Sequence, residues 1–519
     1  MPTPKFKNEP FIDWSKPENR KNQQQAIDAV TKRLGREYPN IIGGKKVTNE
    51  KKFTSLNPSN PDQIVGTFQQ GTPEDAVRAL DAAWTAFESW KRVPAEKRAD
   101  VLFKAAVIMR KRKFELNAIL MLEVGKTWPE ADGDIAEAID FCEFYAREML
   151  RYASLKPAVQ LPGERDEIVY LPLGVGVVVP PWNFPLAIMV GMSVAAVVAG
   201  NAIVLKPSSD SPFIGATFME IMDEAGLPPG VINFVTGPGA AVGDTLVKHA
   251  KTRFVAFTGS KEVGIHIYGE AAKVQPGQIW LKRVIAEMGG KDAIVVDAET
   301  NLDEAAAGVV VSAFGFQGQK CSACSRVIVD AKIHDEFVEL LKKRTETITV
   351  GPAVEMSNYM GPVVNKRSME SIEKYIAKAL EEGGRLVTGG GSAGLGKGYF
   401  LKPTIIANVK PTDTIAQEEI FGPVLAVIKS KDFDDGLRIA NNTEFGLTGG
   451  VYTNDKKKLE KAREEFFCGN LYLNRKCTGA MVGAHPFGGF NMSGTDSKAG
   501  GRDYLLLFLQ AKSIAEKMA

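Results

Sequence analysis

Cys321 stands at the end of a loop, Phe316-Gln317-Gly318-Gln319-Lys320-Cys321, downstream of Glu287-Met288-Gly289-Gly290-Lys291. A cysteine reached through a glycine-containing loop, with a carboxylate upstream, suits covalent attack on a carbonyl followed by hydrolysis. The thiolate is the attacking species, and the carboxylate is placed to serve as the base that activates water. Neither residue carries the case alone. A single cysteine is more often a small core residue than a nucleophile, so the rest of the chain has to position both.

Five cysteines (Cys142, Cys321, Cys324, Cys468, Cys477) in 519 residues do not make a disulfide framework, and they fit a reducing cytoplasm. Cys321 and Cys324 form a lone C-x-x-C without a second ligand pair. The four histidines (His249, His266, His334, His485) are scattered, so no metal site is expected. Sixty-four basic against sixty-two acidic residues leave a net charge of +2, which gives no argument for nucleic acid or an anionic membrane as partner. The longest apolar stretch, Leu186 to Gly200, holds about fifteen residues, short of the roughly twenty that a membrane span needs. The N-terminus lacks the apolar core of a secretory signal. The length implies two or three domains of a soluble protein.

Residues 1 to about 50 are polar and read as an N-terminal extension with a helix around Gln23–Leu34. Amphipathic helices are expected at about Pro73–Trp90, Ala95–Val124 and Pro129–Ser154. Thr72-Pro73-Glu74-Asp75 is a good helix start, with Pro first and acids in the opening turn. From about Glu167, short apolar runs alternate with helices: strands at Gly174–Val179, Ala202–Lys206, Val231–Val235 and Phe254–Phe257, helices at Leu186–Val198, Phe213–Ala225, Ala240–Lys248 and Ser260–Tyr268. Strands without polar alternation, separated by helices, predict an α/β fold with a parallel sheet covered on both faces. A second such block begins near Ala293, with strands at Ala293–Val296 and Arg326–Val329 and helices at Asp335–Ile348 and Ser368–Glu382. The run Tyr504-Leu505-Leu506-Leu507-Phe508-Leu509 reads as an apolar strand that needs a partner, which predicts a homodimer or a dimer-based higher oligomer.

Ligands in parallel α/β sheets bind beyond the carboxyl ends of the strands. Three places there suit a dinucleotide. Thr236-Gly237-Pro238-Gly239-Ala240-Ala241-Val242-Gly243 opens a helix, although its spacing is not the standard glycine fingerprint. Thr258-Gly259-Ser260 offers a capped helix start for a pyrophosphate. Lys206, at a strand end, is within reach of ribose hydroxyls.

Six motifs, in order along the chain, resemble the aldehyde dehydrogenase superfamily: Pro181-Trp182-Asn183-Phe184, Lys206-Pro207-Ser208, Phe257-Thr258-Gly259-Ser260, Glu287 to Lys291, Gly318 to Cys321, and Glu418-Glu419-Ile420-Phe421-Gly422-Pro423. The resemblance covers residue 40 or so to the end. It implies a Rossmann-type nucleotide domain (51–151 and 172–287), an α/β catalytic domain (288–485) and a β oligomerisation element (152–171 and 486–519). It implies Cys321 as nucleophile, Glu287 as the base for deacylation, and Asn183 with the Cys321 N–H as oxyanion donors. Pro181, Trp182, Lys206, Ser209, Gly239, Gly243, Phe257, Thr258, Gly259, Ser260, Val263, Met288, Glu419 and Phe421 are the cofactor contacts it implies. NAD is the expected cofactor. Many NAD-preferring members carry a glutamate three residues beyond the strand-end lysine; here that residue is Ser209, so NADP is expected to be accepted as well.

Finer matches, Cys321 to Arg326, Lys476 to Val482 and His485 to Gly489, resemble the branch of that family acting on L-glutamate γ-semialdehyde in proline and arginine breakdown. In that branch the Ser322 hydroxyl and the N–H groups of Gly479 and Ala480 would hold the substrate carboxylate. Phe184 and Phe487 would clamp the aliphatic stem, and Glu137 would face the ammonium, although a solvated helix face explains Glu137 equally well. Three other readings stand beside this one. In a succinate-semialdehyde or general aliphatic aldehyde dehydrogenase, Arg475 would read a carboxylate. A CoA-acylating enzyme would not need Glu287. A non-enzymatic scaffold would not need Cys321, Glu287 and Asn183 together.

Overall fold

The computed structural model describes residues 4–154 and 156–518. Its centre is two seven-stranded sheets. The first runs Arg283–Glu287, Phe254–Thr258, Val175–Val179, Ala202–Leu205, Ile232–Phe234, Asn40–Ile42, Lys45–Val47. Its first five strands are parallel, and the last two are antiparallel additions. The parallel strands are buried almost throughout, as their unalternating apolar sequences require.

Strand order in this sheet reverses direction once. From Val175–Val179 the chain moves outward to Ala202–Leu205 and Ile232–Phe234. It then returns to Phe254–Thr258 on the other flank of Val175–Val179. That reversal opens a crevice at the carboxyl ends of the two neighbouring strands, where ligands of such sheets bind. The crevice is bordered by the segments following Val179 and Thr258.

The second sheet runs Arg385–Thr388, Thr404–Ala407, Val424–Ser430, Arg326–Asp330, Ala293–Val296, Thr448–Tyr452, Asn470–Leu473. Only the first of these strands is antiparallel to its neighbour. Cys321, Glu419 and Met288 all lie just before strands of this sheet, so its amino ends carry the chemistry that the first sheet presents at its carboxyl ends. A third, small antiparallel sheet pairs Leu509–Lys517 with Glu164–Pro172 and Lys156–Pro157. Among the described residues no helix is long and apolar enough to cross a membrane.

Several expectations need correcting. Residues 40–47 are not part of an extension laid on the body: they complete the first sheet, and the N-terminal helix is Pro17–Thr31. The helix expected over Ala95–Val124 is two helices, Ala95–Lys111 and Lys113–Val124, because Arg112 leaves helical geometry at φ −96°, ψ 12°. The segment Tyr504–Phe508 is a 3₁₀ turn and not a strand. Its side chains turn into the chain's own core, Tyr504 stacking on Tyr145 at 5.5 Å and Phe508 meeting Phe254 edge-on at 5.5 Å. The strand begins at Leu509 and is polar and exposed beyond it. The long helix Trp128–Ala153 was placed to within a residue at each end, and Thr72 and Asp75 form a reciprocal capping box at the start of Pro73–Trp90.

The capping box generates a test of local stability. Thr72→Ala removes the hydroxyl that accepts from the Asp75 N–H, and it should cost about 1 kcal/mol in the denaturant-induced unfolding free energy.

Candidate active site

The loop that presents Cys321 is under backbone strain. Phe316 and Gln317, neither a glycine, sit at φ 47° and 56°, followed by Gly318 at 66°. Such left-handed residues persist only where the surroundings over-determine them, and here the ties are visible. Gln317 Nε2 donates to the carbonyls of Gly125 (3.1 Å) and Pro362 (2.8 Å), and Gln319 Oε1 accepts from the Val364 N–H at 2.9 Å. Lys320 Nζ is paired with Glu130 at 2.7 Å. Asn183 Nδ2 donates to the Gln319 carbonyl at 3.1 Å. This last bond crosses from the first sheet to the second. It fixes the Asn183 amide beside Cys321 and leaves its other N–H to serve an oxygen in the pocket.

Cys321 is half-buried, whereas Cys142, Cys324, Cys468 and Cys477 are buried. Burial raises the Cys321 thiol well above its ordinary value, and the carboxylates of Asp292, Glu419, Glu287 and Glu137 push the same way. Both effects favour the thiol over the thiolate in the free protein.

Glu287 ends the edge strand Arg283–Glu287, in register with Thr258. Burial raises its carboxyl to about 8, a shift that the Ser497 hydrogen bond and the Lys498 charge partly oppose. Ser497 Oγ donates to Glu287 Oε1 at 2.7 Å, while Oε2 is buried without a partner. A buried carboxyl with one oxygen tied and one free, titrating near neutrality, is suited to taking a proton from water.

The residues expected to contact a cofactor follow the carboxyl ends of strands in the first sheet or precede the amino ends of strands in the second. The buried Lys206 ammonium holds the Pro207 carbonyl at 3.1 Å, and desolvation lowers it to about 8. Gly239–Gly243 forms a π-helical turn, and a methyl at Gly243 would touch the Lys206 stem at 3.7 Å. Ser260 caps the helix Lys261–Ala272, accepting from Val263 N at 3.4 Å. Thr258 and Gly259 precede it. Glu419 accepts from the Gly290 N–H at 3.1 Å, and burial raises its carboxyl to about 7. There is no room for a side chain at Gly289, because the Glu419 carboxylate lies in that space. Phe421, at φ 56°, meets Trp182 edge-on at 5.5 Å, with Pro181 beside it. A desolvated cation, a capped helix start and a carboxylate in a glycine cradle fit the phosphates and riboses of a dinucleotide. Phe257 and Met288 pack in a small core with Ile267 and Ala271 of the helix Lys261–Ala272. Ser209 is exposed, and Asp210 beside it accepts from Asn365 Nδ2 at 3.1 Å.

On the substrate side, Gly479 lies at φ 80°, and among the described residues neither its N–H nor that of Ala480 is taken by another group. Arg475 Nη2 donates to the carbonyls of Thr478 (3.1 Å) and Gly479 (3.4 Å), which turns the peptide planes of this loop. Ser322 is buried beside Cys321. Phe184 and Phe487 are both half-buried. Glu137 does not lie on a solvated face: it is half-buried, and desolvation with the neighbouring Asp134 raises it to about 8.

Sequence reading missed Ser497, Lys498 and the buried Lys126. The Lys126 ammonium lies 3.7 Å from the Phe184 ring centroid and 4.2 Å from that of Phe316, and 3.4 Å from Asp134. It props the Phe184 ring from behind. No spacing could signal these contacts. Ser497 meets Glu287 across 210 residues of chain.

The aldehyde dehydrogenase family model matches residues 46–514. A 1-pyrroline-5-carboxylate dehydrogenase of Geobacillus thermodenitrificans is 54% identical over 511 residues, spanning 98% of this chain and 99% of that one. The crystal structure of a 1-pyrroline-5-carboxylate dehydrogenase from Thermus with bound NAD superposes with a TM-score of 0.98 at 50% identity, over 100% of both chains. A betaine aldehyde dehydrogenase from Staphylococcus aureus in complex with NAD⁺ superposes at 0.89 with 29% identity, over 96% of this chain and 97% of that one.

The electrostatics of Cys321 set a measurable reactivity. Iodoacetamide should alkylate Cys321 ahead of the four buried cysteines, with a rate that keeps climbing beyond pH 9.0, the ordinary thiol value. A rate already level by about pH 7 would mean a stabilised thiolate and would contradict this account.

Proposed function

This chain belongs to the aldehyde dehydrogenase family, and from that membership we infer that it oxidises L-glutamate γ-semialdehyde, the open form of 1-pyrroline-5-carboxylate, to L-glutamate with NAD as oxidant. Its place is proline and arginine breakdown. The observation that carries the substrate choice is the Thr478–Met481 loop, whose two untaken N–H groups lie together on a backbone turned by Arg475.

The residue roles are those that the family resemblance implies, and the geometry described above supports them. Cys321 first loses its proton to solvent, and the thiolate sulfur then bonds to the aldehyde carbon. The aldehyde oxygen takes the negative charge and accepts from Asn183 Nδ2 and the Cys321 N–H. Losing one such donor costs about two to three powers of ten in rate. NAD, when bound, accepts the hydride that leaves this carbon, and a thioester on Cys321 remains. Glu287 then takes a proton from water, the hydroxide adds to the thioester carbon, and collapse of the adduct expels the Cys321 sulfur and frees the carboxylic acid. Lys206, Ser260 and Glu419 hold the cofactor's riboses and pyrophosphate.

The substrate carboxylate accepts from Ser322 Oγ and from the Gly479 and Ala480 N–H groups, and charge-assisted bonds of this kind are the stronger ones. Its ammonium faces Glu137, where a cation would lower the raised carboxyl and make it an anion. Phe184 and Phe487 enclose the stem. Arg475 is committed to loop carbonyls, which disfavours the succinate-semialdehyde reading in which it would face a substrate carboxylate.

Three finer assignments accompany this reading. Ser209 puts no carboxylate near a 2′-phosphate, so NADP serves too, with NAD preferred. Nucleotide binding is assigned to 51–151 and 172–287, catalysis to 288–485 and association to 152–171 with 486–519, residues 1–50 being the extension apart from the strands at 40–47. Five free cysteines suit a reducing cytoplasm.

The protein assembles as a homodimer or a dimer-based oligomer. The support is not the apolar 504–508 segment, which is buried. It is the small sheet, where Leu509–Lys517 pairs on one edge only and Val159, Leu161, Ile168 and Ile514 are exposed. Sedimentation velocity should show no monomer at micromolar concentration.

The test of function is initial-rate NADH formation with glutamate γ-semialdehyde, succinate semialdehyde and propanal at equal low concentration. A preference of about a hundredfold or more for the amino-acid aldehyde is expected, the order of two well-made polar contacts. Comparable rates would reduce the anchor loop to an ordinary turn. In the same assay NADP should support turnover below the NAD rate.

Because Glu287 acts as a base only when ionised, hydrolysis-limited turnover should rise with pH through about 8. Ser497→Ala removes a donor to the carboxylate and should move that midpoint upward. Glu287→Gln should release about one NADH per subunit and then stall as acyl-enzyme.

A further inference from the structure

The N-terminal arm, residues 4–16, runs along the long helix Trp128–Ala153 and is fastened to it at several points. The Ile12 N–H donates to Asp132 Oδ2 at 2.7 Å, and the Glu9 N–H to Asp140 Oδ1 at 2.7 Å. Glu9 pairs with Arg110 at 2.7 Å, and Lys113 Nζ holds the Pro10 carbonyl at 2.8 Å. One side chain of this arm does something further. Asn8 Nδ2 donates to Asp140 Oδ2 at 2.8 Å and also to the Val482 carbonyl at 3.0 Å. Beside it, Phe6 packs edge-on against Phe144 at 5.2 Å and lies against Gly483.

The two acceptors belong to different elements. Asp140 is one helical turn beyond Glu137 on the long helix, so the two share a side of it. Val482 follows the Thr478–Met481 loop directly. The upstream end of that loop is held by Arg475 and by the Cys477 N–H on Ser312 Oγ at 3.2 Å. Downstream, the Gly483 N–H donates to the Gly500 carbonyl at 2.9 Å, and the Met481 N–H to His485 Nδ1 at 3.2 Å. Among these hydrogen bonds, those of Asn8 join the loop to the Asp140 turn of the helix bearing Glu137, whereas Gly483 reaches that helix further on, through Gly500 and Tyr145. A primary amide nitrogen has two N–H donors pointing apart, which is the chemistry needed to join a carboxylate to a carbonyl. Aspartate in its place would offer no donor and would set a second charge beside Asp140.

We propose that Asn8 is a positioning residue for substrate specificity, its amide fixing the loop that takes the substrate's carboxylate at a set distance from the helix that takes its ammonium. The proposal rests on the assignment of Gly479, Ala480 and Glu137 to the amino-acid end of the substrate. The reader of the α-amino acid group is then assembled from three parts of the chain, and the N-terminal arm is the part that touches no substrate atom.

The test uses full-length wild-type, Asn8→Ala, Asn8→Gln and Ser322→Ala proteins. The readouts are KM for glutamate γ-semialdehyde, the inhibition constant of L-glutamate, and the KM values for propanal and NAD. Asn8→Ala should weaken semialdehyde and glutamate about tenfold, the size of one hydrogen bond to a charged or strongly polar group. Propanal and NAD should change less than about twofold, within the scatter of a surface substitution. Asn8→Gln keeps both donors on a longer stem and should recover part of the loss. Equal weakening of propanal and the amino-acid ligands overturns the proposal, because a general loosening of the fold would do the same. Glutamate binding that is unchanged in Asn8→Ala but lost in Ser322→Ala overturns the clamp and leaves the anchor reading intact. Glutamate binding unchanged in both overturns the anchor reading, and the clamp with it.

Discussion

The strained loop from Gly315 to Cys321 is the constraint on which the arrangement depends. Two consecutive non-glycine residues in the left-handed region would relax in isolation, and they are held by side-chain amides that meet three main-chain groups of two other segments. A helix or strand could not present the Cys321 sulfur, its own N–H and the Asn183 amide to one point. The bond from Asn183 to the Gln319 carbonyl couples this loop to the crevice of the first sheet, and the Trp182–Phe421 and Phe184–Phe316 ring contacts add to that register. Each tie is modest in net energy. Their value lies in geometry, since misplacement of about 1 Å can cost a hundredfold in rate.

Around that loop the protein has gathered carboxyls and ammoniums in a poorly solvated space. Glu287 and Glu137 are each raised to about 8 and Glu419 to about 7, while Lys206 is lowered to about 8 and Lys291 to about 7. Desolvation is the largest cause in every case. Without ligands the site sheds charge near neutral pH, because few counter-ions face these groups. In the proposed complex the substrate ammonium would restore the ionised form of Glu137, and the cofactor's phosphates would favour the charged form of a nearby lysine.

Much of this was legible in the chain. Unalternating apolar runs marked the parallel strands, the Thr72 cap and the following acids marked a helix start, and the motifs singled out Cys321, Glu287 and Asn183 as the candidate catalytic set. What could not be read depends on contacts between distant residues or on ambiguous local pattern. An apolar run such as Tyr504–Leu509 suits a strand or a buried turn equally, and only the presence of Tyr145 and Phe254 decides. The break at Arg112 has no proline or glycine to announce it. Glu137 could be read as a substrate contact or as part of a solvated helix face, because the packing that half-buries it is not visible in local spacing. Ser497 could not be tied to Glu287 by any spacing.

The Asn8 to Val482 hydrogen bond spans 474 positions, and Asn8 to Asp140 spans 132. Contacts of such long range form late, since the loop-closure entropy must be met before they contribute. The N-terminal arm and the segment around Val482 are therefore joined across long stretches of intervening chain. Under the proposed clamp, the end of the pocket that would read the amino-acid group is completed only when the two ends of the chain meet.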